Sequence, residues 1–252
     1  MSVRSGALVV AAAVTHLGQA ALRATAPGGR ARWERRNHAG RTVGLYAGPA
    51  AAVAAAAGAS RVHPAAGAAV LAAGACGAYD DVVAHVRADT RRGFRAHLGA
   101  LRQGEVTSGA VKLFGISGAG LVAGALLKER PLDKLLAGIV IAGAAHFVNL
   151  VDVRPGRAAG TVLALAAPGL LRTGPAAELS AVAVGAAAAV LPGDVGERTM
   201  LGDTGAHALG ATLGAAVVVG NRRAGLLAHA VAVVAAAVYG DRVSAWARAV
   251  SG

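Results

Sequence analysis

The chain has 252 residues, 55% of them hydrophobic and 15% charged, with a mean hydropathy of +0.54. This excludes a disordered chain, which needs low hydrophobicity, and is at odds with a soluble enzyme, where charged residues make up roughly 25%. The net charge of +12 raises nucleic-acid binding, but the basic residues lie between long apolar stretches and the aromatics are only 3 Phe, 3 Tyr and 2 Trp. Nucleic-acid binders gather their cations on one face, with aromatics or a known module for the bases. A membrane protein with no nucleic-acid partner fits better.

In chain order, the first apolar run, Gly6 to Leu22, lacks a convincing signal-peptide cleavage site and reads as a first membrane helix. A membrane span takes about 20 mostly apolar residues. Nine segments approach this: 5–23, 43–60, 64–80, 111–127, 133–150, 159–172, 176–192, 204–220 and 224–240, of which the sixth and seventh are short. The expected fold is all-α, a polytopic membrane helix bundle of about nine transmembrane helices forming one integral membrane domain over residues 1–252. Glycine and alanine allow helices to approach closely in lipid. Gly115, Gly118 and Gly120 therefore read as packing positions, because a nucleotide loop needs a strand–turn–helix context. The single Cys76 rules out an intrachain disulfide and a Cys-x-x-Cys zinc site, and reads as a small buried packing residue.

Lys and Arg favour cytoplasmic loops. With the N-terminus outside and nine alternating spans, 17 of the 25 Lys and Arg residues fall inside. They include Arg36 and Arg41 in the first loop, and Arg87, Arg91, Arg92, Arg95, Arg102 and Lys112 in the second. The composition, rich in Ala, Gly and Arg, suggests a high-GC bacterial source and a multi-pass protein of its inner (cytoplasmic) membrane.

Only 13 acidic residues occur, so their positions are informative. Asp80 and Asp81 close the third span, Asp152 follows the fifth, and Asp194 and Asp203 flank the loop entering the eighth. In this topology all five face the cytoplasm at the membrane boundary, where a carboxylate needs solvation, pairing or a bound cation. The Asp80–Asp81 pair is expected at a helix C-terminus, where the macrodipole disfavours negative charge. Mg²⁺ would offset that, since it takes one or two carboxylates together with waters and substrate phosphates; solvated boundary aspartates are the plainer alternative. Asp203, followed by Thr204-Gly205 and an apolar helix, reads either as an N-cap or as part of a cation site.

Taken in order, these segments resemble the polyprenyl-phosphate N-acetylhexosamine-1-phosphate transferase superfamily, which includes phospho-N-acetylmuramoyl-pentapeptide transferase. Leu201-Gly-Asp-Thr-Gly-Ala-His-Ala-Leu-Gly210 is similar to the family's Gly-Asp-Thr-Gly-Ser-Leu-x-Leu-Gly. Tyr79-Asp80-Asp81 matches its Asp-Asp pair, followed by the basic Arg92-Gly-Phe-Arg95 and by Lys112. Asn149-Leu-Val-Asp152 looks like the start of Asn-x-x-Asp-Gly-x-Asp-Gly-Leu, and Arg36-Asn-His-Ala-Gly40 loosely matches the first cytoplasmic loop.

The resemblance implies a cell-envelope glycan enzyme in which a polyprenyl phosphate oxygen attacks the β-phosphate of a nucleotide-activated sugar donor at the cytoplasmic face. It makes Asp203 and Asp81 Mg²⁺ ligands, and Asp80, Asp81 and Asp152 the catalytic acidic cluster. Lys112 and Asn149 would bind substrate, joined in this chain by Arg154 and Arg157, which stand outside the family's pattern. Phosphoryl transfer is mainly positioning and charge neutralisation, which these residue types supply. A homodimer is compatible with this reading.

There are departures. Pro155 stands where the family has its second aspartate, a contributor to uracil recognition, and proline brings neither carboxylate nor backbone donor. Arg154 and Arg157 add cations, either for an anionic donor or as positive-inside anchors. His207 replaces an apolar residue and reads as a helix-facing polar contact. The histidine-containing last loop has no counterpart. These departures carry the alternative reading, a catalytically altered relative that binds lipid phosphate or assists envelope assembly. A transporter ranks last, because its ionisable groups would lie near the bilayer midplane.

Overall fold

Small side chains dominate the helical segments, and they bring helix backbones close together throughout the molecule. The computed structural model describes residues 3–87, 99–100, 104–105 and 107–249; Arg91, Arg92, Arg95 and Arg102 lie outside the described residues. Among the described residues the chain is all-α apart from one small ribbon and two short 3₁₀ segments. Its ten described α-helices are α1 (Val3–Thr25), α2 (Ala47–Val62), α3 (Pro64–Arg87), α4 (Ser108–Leu127), α5 (Pro131–Val151), α6 (Arg157–Ala166), α7 (Pro175–Val195), α8 (Gly202–Gly220), α9 (Arg223–Val238) and α10 (Gly240–Ala249). Prolines open α3, α5 and α7, where a missing N–H costs nothing. The Thr107 hydroxyl caps α4 by accepting from Ala110 N–H at 3.1 Å.

Every apolar segment picked out in the sequence contains a helix, with two adjustments. Segment 43–60 enters as a strand before α2 begins. Segment 159–172 leaves α-geometry after Ala166 and runs as a 3₁₀ turn over Ala167–Leu171, because Pro168 cannot continue the hydrogen-bond ladder. Among the described residues, α1, α4, α5 and α7 are long and apolar enough to cross a membrane; a fifth such span results if α9 and α10, bent by 83°, form one broken segment. α2 and α6 have only 16 and 10 residues. α8 is long but enclosed by α2, α3, α5 and α7, with nearly its whole length buried. Its Gly and Ala content therefore serves close packing rather than lipid contact. The peripheral helices α1, α4 and α9 instead turn apolar side chains outward, among them Val10, Leu17, Val122, Leu126, Leu227 and Val231.

The helices alternate in direction, so their connections gather at two ends. One end is tied by Arg223–Asp133 (2.7 Å), Lys128 Nζ to the Asn221 carbonyl (3.1 Å) and Arg4 to the Leu170 carbonyl (2.8 Å). The other collects the ends of α3, α5 and α7 and the starts of α4 and α8. It is covered by an antiparallel ribbon, β1 (Glu34–Arg36) with β2 (Thr42–Gly44), which bridges on to Thr199 ahead of α8. Trp33 stacks on Tyr46 at 5.2 Å beneath this ribbon.

Gly115 and Gly120 pack as expected, against Cys76 and against Gly138 and Ala142, whereas Gly118 faces open space. Cys76 is half-buried rather than buried.

Candidate functional site

The site is built around the start of α8. Gly202 sits at φ +62°, where an added Cβ would lie 3.0 Å from both an Asp81 oxygen and Leu45 Cδ2. Left-handed backbone and close packing together call for glycine here. Gly77, one turn before Asp81, plays the matching part on α3 by letting that helix touch the Asp203 backbone. Asp81 then reaches across to α8. Its Oδ1 accepts from Asp203 N–H at 3.0 Å, and its Oδ2 accepts from Thr204 N–H at 3.0 Å and Thr204 Oγ1 at 2.5 Å.

Two expectations are corrected by this geometry. Asp203 does not cap α8: it lies in the first turn, Leu201 makes no side-chain cap, and Asp81 from α3 does the capping. Nor does the aspartate pair end a helix, since α3 runs on to Arg87 and the macrodipole penalty is confined to the last turn. Asp81 instead faces the positive end of α8. The Arg35 guanidinium holds its backbone carbonyl at 2.9 Å.

Asp80 and Asp203 are joined by one cation. The Lys112 ammonium, from the first turns of α4, donates to Asp80 Oδ2 at 2.7 Å and also pairs with Asp203 Oδ2. All three side chains are mostly enclosed, at 17% exposure for Asp80 and Lys112 and 25% for Asp203. Burial strengthens such a pairing and makes the loss of one partner costly. The two carboxylates converge on one positive charge, and hard oxygen donors of this kind suit Mg²⁺. Asp81 suits it less, because its oxygens are committed to α8. Among the described residues no group of three or more His, Cys, Asp or Glu side chains is spaced to hold a metal.

Beside this cluster lies a cleft of about 170 Å³, lined by Arg36, His38, Asp152, Arg154, Pro155 and Asp194 among others. Asp152 ends α5, its N–H bonded to the Asn149 carbonyl one turn back at 3.2 Å. Burial pushes the Asp152 carboxyl well above its ordinary range, and the negative charges of Asp194, Asp203 and Asp81 push it further. Arg154 lines the cleft, whereas Arg157 begins α6 and does not. A latch holds the ribbon over this space: Glu197, at φ +49°, accepts from Asn37 Nδ2 at 2.5 Å and pairs with Arg41 at 3.1 Å. The Asn37 side chain also closes the ribbon turn, accepting from Ala39 and Arg41 N–H.

Of the residues nominated by sequence, Asp80, Asp81, Lys112 and Asp203 meet directly, while Asp152 and Arg154 line the adjoining cleft and Asn149 stands just behind Asp152. Sequence reasoning misses others. Asp194 reads as a boundary acid, yet its buried carboxylate shapes the cleft by accepting from Gly156 N–H at 2.8 Å. His207 makes the helix-facing contact expected of it, with Nδ1 2.7 Å from the Asp203 carbonyl. A carbonyl can only accept, so Nδ1 is the protonated nitrogen. His146 stands in no motif. It meets His207 edge-on at 5.5 Å, and both Nε2 atoms are buried with no hydrogen-bond partner among the described residues. The pairing links α5 to α8 across the sequence, and no local signal announces it.

No protein-family model matches the chain, and no curated protein matches it. Function is therefore inferred from the residues themselves.

Proposed function

We propose that the protein is a membrane phosphoglycosyltransferase-like enzyme. It would transfer a sugar-1-phosphate from a nucleotide-activated donor to polyprenyl phosphate at the cytoplasmic membrane face, with about nine membrane helices and Mg²⁺ as cofactor. The observation that carries the reading is the meeting of Asp80, Lys112 and Asp203. Lys112 is separated from its two partners by 32 and 91 positions in sequence, and all three residues stand in the motifs that carry the resemblance.

In the proposed reaction a lipid phosphate oxygen bonds to the donor's β-phosphorus, the bond to the α-phosphate oxygen breaks, and the nucleoside monophosphate leaves. Bound Mg²⁺ would neutralise phosphate charge, with Asp80 and Asp203 as its carboxylates. The Lys112 ammonium would hold a phosphate oxygen close by. Asp81 fixes the start of α8 and with it the direction of Asp203, a positioning role. Arg36 and Arg154 would face the donor's anionic part. The cleft of about 170 Å³ is smaller than the roughly 300–1,000 Å³ of complete ligand pockets, so it would take only part of a donor. Pro155 on its wall favours a donor other than a standard uridine diphosphate sugar.

A second reading draws on Pro155, which lines the cleft in place of the family's aspartate, as it would in a relative that binds lipid phosphate without transfer. Purified protein assayed with polyprenyl phosphate and a panel of nucleotide sugars separates the two. Mg²⁺-dependent lipid product supports transfer, while lipid phosphate binding without product on any donor supports the second reading.

A further inference from the structure

The last helix, α10, lies at 83° to α9 and carries a distribution of side chains that the site does not use. One face docks on the end of α5: Gly240 lies against the Leu150 side chain, Ser244 Oγ donates to the Leu150 carbonyl at 2.8 Å, and Ala247 is buried. These positions follow helical spacing, four and then three residues apart. At 100° per residue two flanks stand to either side of this face, with Arg242, Ala245 and Ala249 opposite it. Tyr239 (just ahead of the helix), Val243 and Trp246 fall on one; Asp241 and Arg248 fall on the other, roughly 180° away. Tyr239 is 56% and Trp246 65% exposed, and the Arg242 guanidinium stands over the Tyr239 ring at 5.7 Å.

A ten-residue helix spans about 15 Å, half the hydrocarbon core, so α10 cannot itself cross a bilayer. Set nearly perpendicular to a helix that can form part of a span, it is oriented to lie along the membrane surface. Its aromatic flank has the chemistry of the interface, an apolar ring body with a polar tip. An amphipathic helix of this kind buries its apolar face at the headgroup–acyl boundary and keeps its charges in water.

We propose that α10 is an interfacial anchor lying in the phospholipid headgroup layer, with Tyr239, Val243 and Trp246 at the acyl boundary and Asp241 and Arg248 in water. Because α10 is fastened to Leu150, two residues before Asp152, it sets the depth of the acidic cleft at the level of the lipid phosphates. The inference rests on the membrane reading and not on the transfer chemistry.

The chain's two tryptophans, Trp33 and Trp246, allow a direct test. The full-length Trp33→Phe variant is reconstituted in phosphatidylcholine–phosphatidylglycerol vesicles carrying bromines either high or deep on the acyl chains. Trp246 emission is expected to be blue-shifted relative to free tryptophan and quenched at least twofold more by shallow bromines than by deep ones. Unquenched, water-like emission overturns the proposal, as does stronger quenching by the deep bromines. Should the Trp33→Phe substitution perturb the ribbon, subtracting the emission of Trp246→Phe from that of the native protein gives the same depth. Vesicle flotation separates the premises: protein that floats with unquenched Trp246 refutes the anchor alone, and protein that does not float refutes the membrane reading as well.

Discussion

Replacing Asp81 with alanine tests whether this residue positions α8. The substitution removes three hydrogen bonds at once, from Asp203 N–H, Thr204 N–H and Thr204 Oγ1. A net hydrogen bond contributes about 1 kcal/mol, bonds to a charged acceptor contribute more, and loss of a helix N-cap alone costs about 0.5–2 kcal/mol. The expected destabilisation is therefore about 2–4 kcal/mol, concentrated on the most enclosed helix. Asp80→Ala is the comparison. It leaves Lys112 paired with Asp203 and should cost about 1 kcal/mol. Both variants would be measured by denaturant or thermal unfolding in one detergent at neutral pH. Equal stability of Asp81→Ala and the native protein would refute the capping role and return Asp81 to the candidate metal ligands.

Three further outcomes follow from the same geometry. Lys112→Met leaves two enclosed carboxylates without their shared cation and should lower stability by about 3 kcal/mol; Mg²⁺ should then raise its melting temperature more than that of the native protein, by linkage. Gly202→Ala meets both a left-handed φ and contacts at 3.0 Å, so unfolding should show a loss of about 1–3 kcal/mol. The third concerns pH. Asp152 has a raised folded-state pKa, so the folded protein holds a proton that the unfolded chain releases from about pH 4 upward. Its contribution to stability is thus present at low pH and declines as pH rises through the window up to the folded value. Asp152→Asn should melt higher than the native protein at pH 7 and lose less stability as pH rises above the ordinary carboxylate range; an identical profile would count against the burial of this charge.

Much of the helical layout is legible in the sequence because apolar runs of membrane length have few alternatives to helix. Local features that depend on partners are not. Nothing near Asp203 indicates that a residue on α3 supplies its helix cap, and a small polar residue before an apolar run is ordinarily read as its own cap. The extension of α3 past Asp81 is hidden because the adjacent pair of carboxylates looks like a helix end at a membrane boundary, although Val82, Val83, Ala84 and Val86 continue the apolar run. Apolarity also does not separate lipid contact from protein contact: α8 reads as an apolar segment of span length, and in the structure its small residues pack against neighbouring helices along nearly its whole length. The site's acids are findable because acids are scarce, which is why Asp80, Asp81, Asp152 and Asp203 stand out. His146 gives no such signal, and Asp194 stands out only as a boundary acid, since a histidine within a helix, or an acid near its end, takes its role from the element it faces.

The transfer reaction itself is tested most directly with purified protein in lipid or detergent, given labelled nucleotide sugars, polyprenyl phosphate and Mg²⁺. The expected result is a labelled lipid product together with released nucleoside monophosphate, dependent on Mg²⁺ and lost in Asp203→Asn. No lipid product from any donor, with the protein folded and binding polyprenyl phosphate, would contradict it.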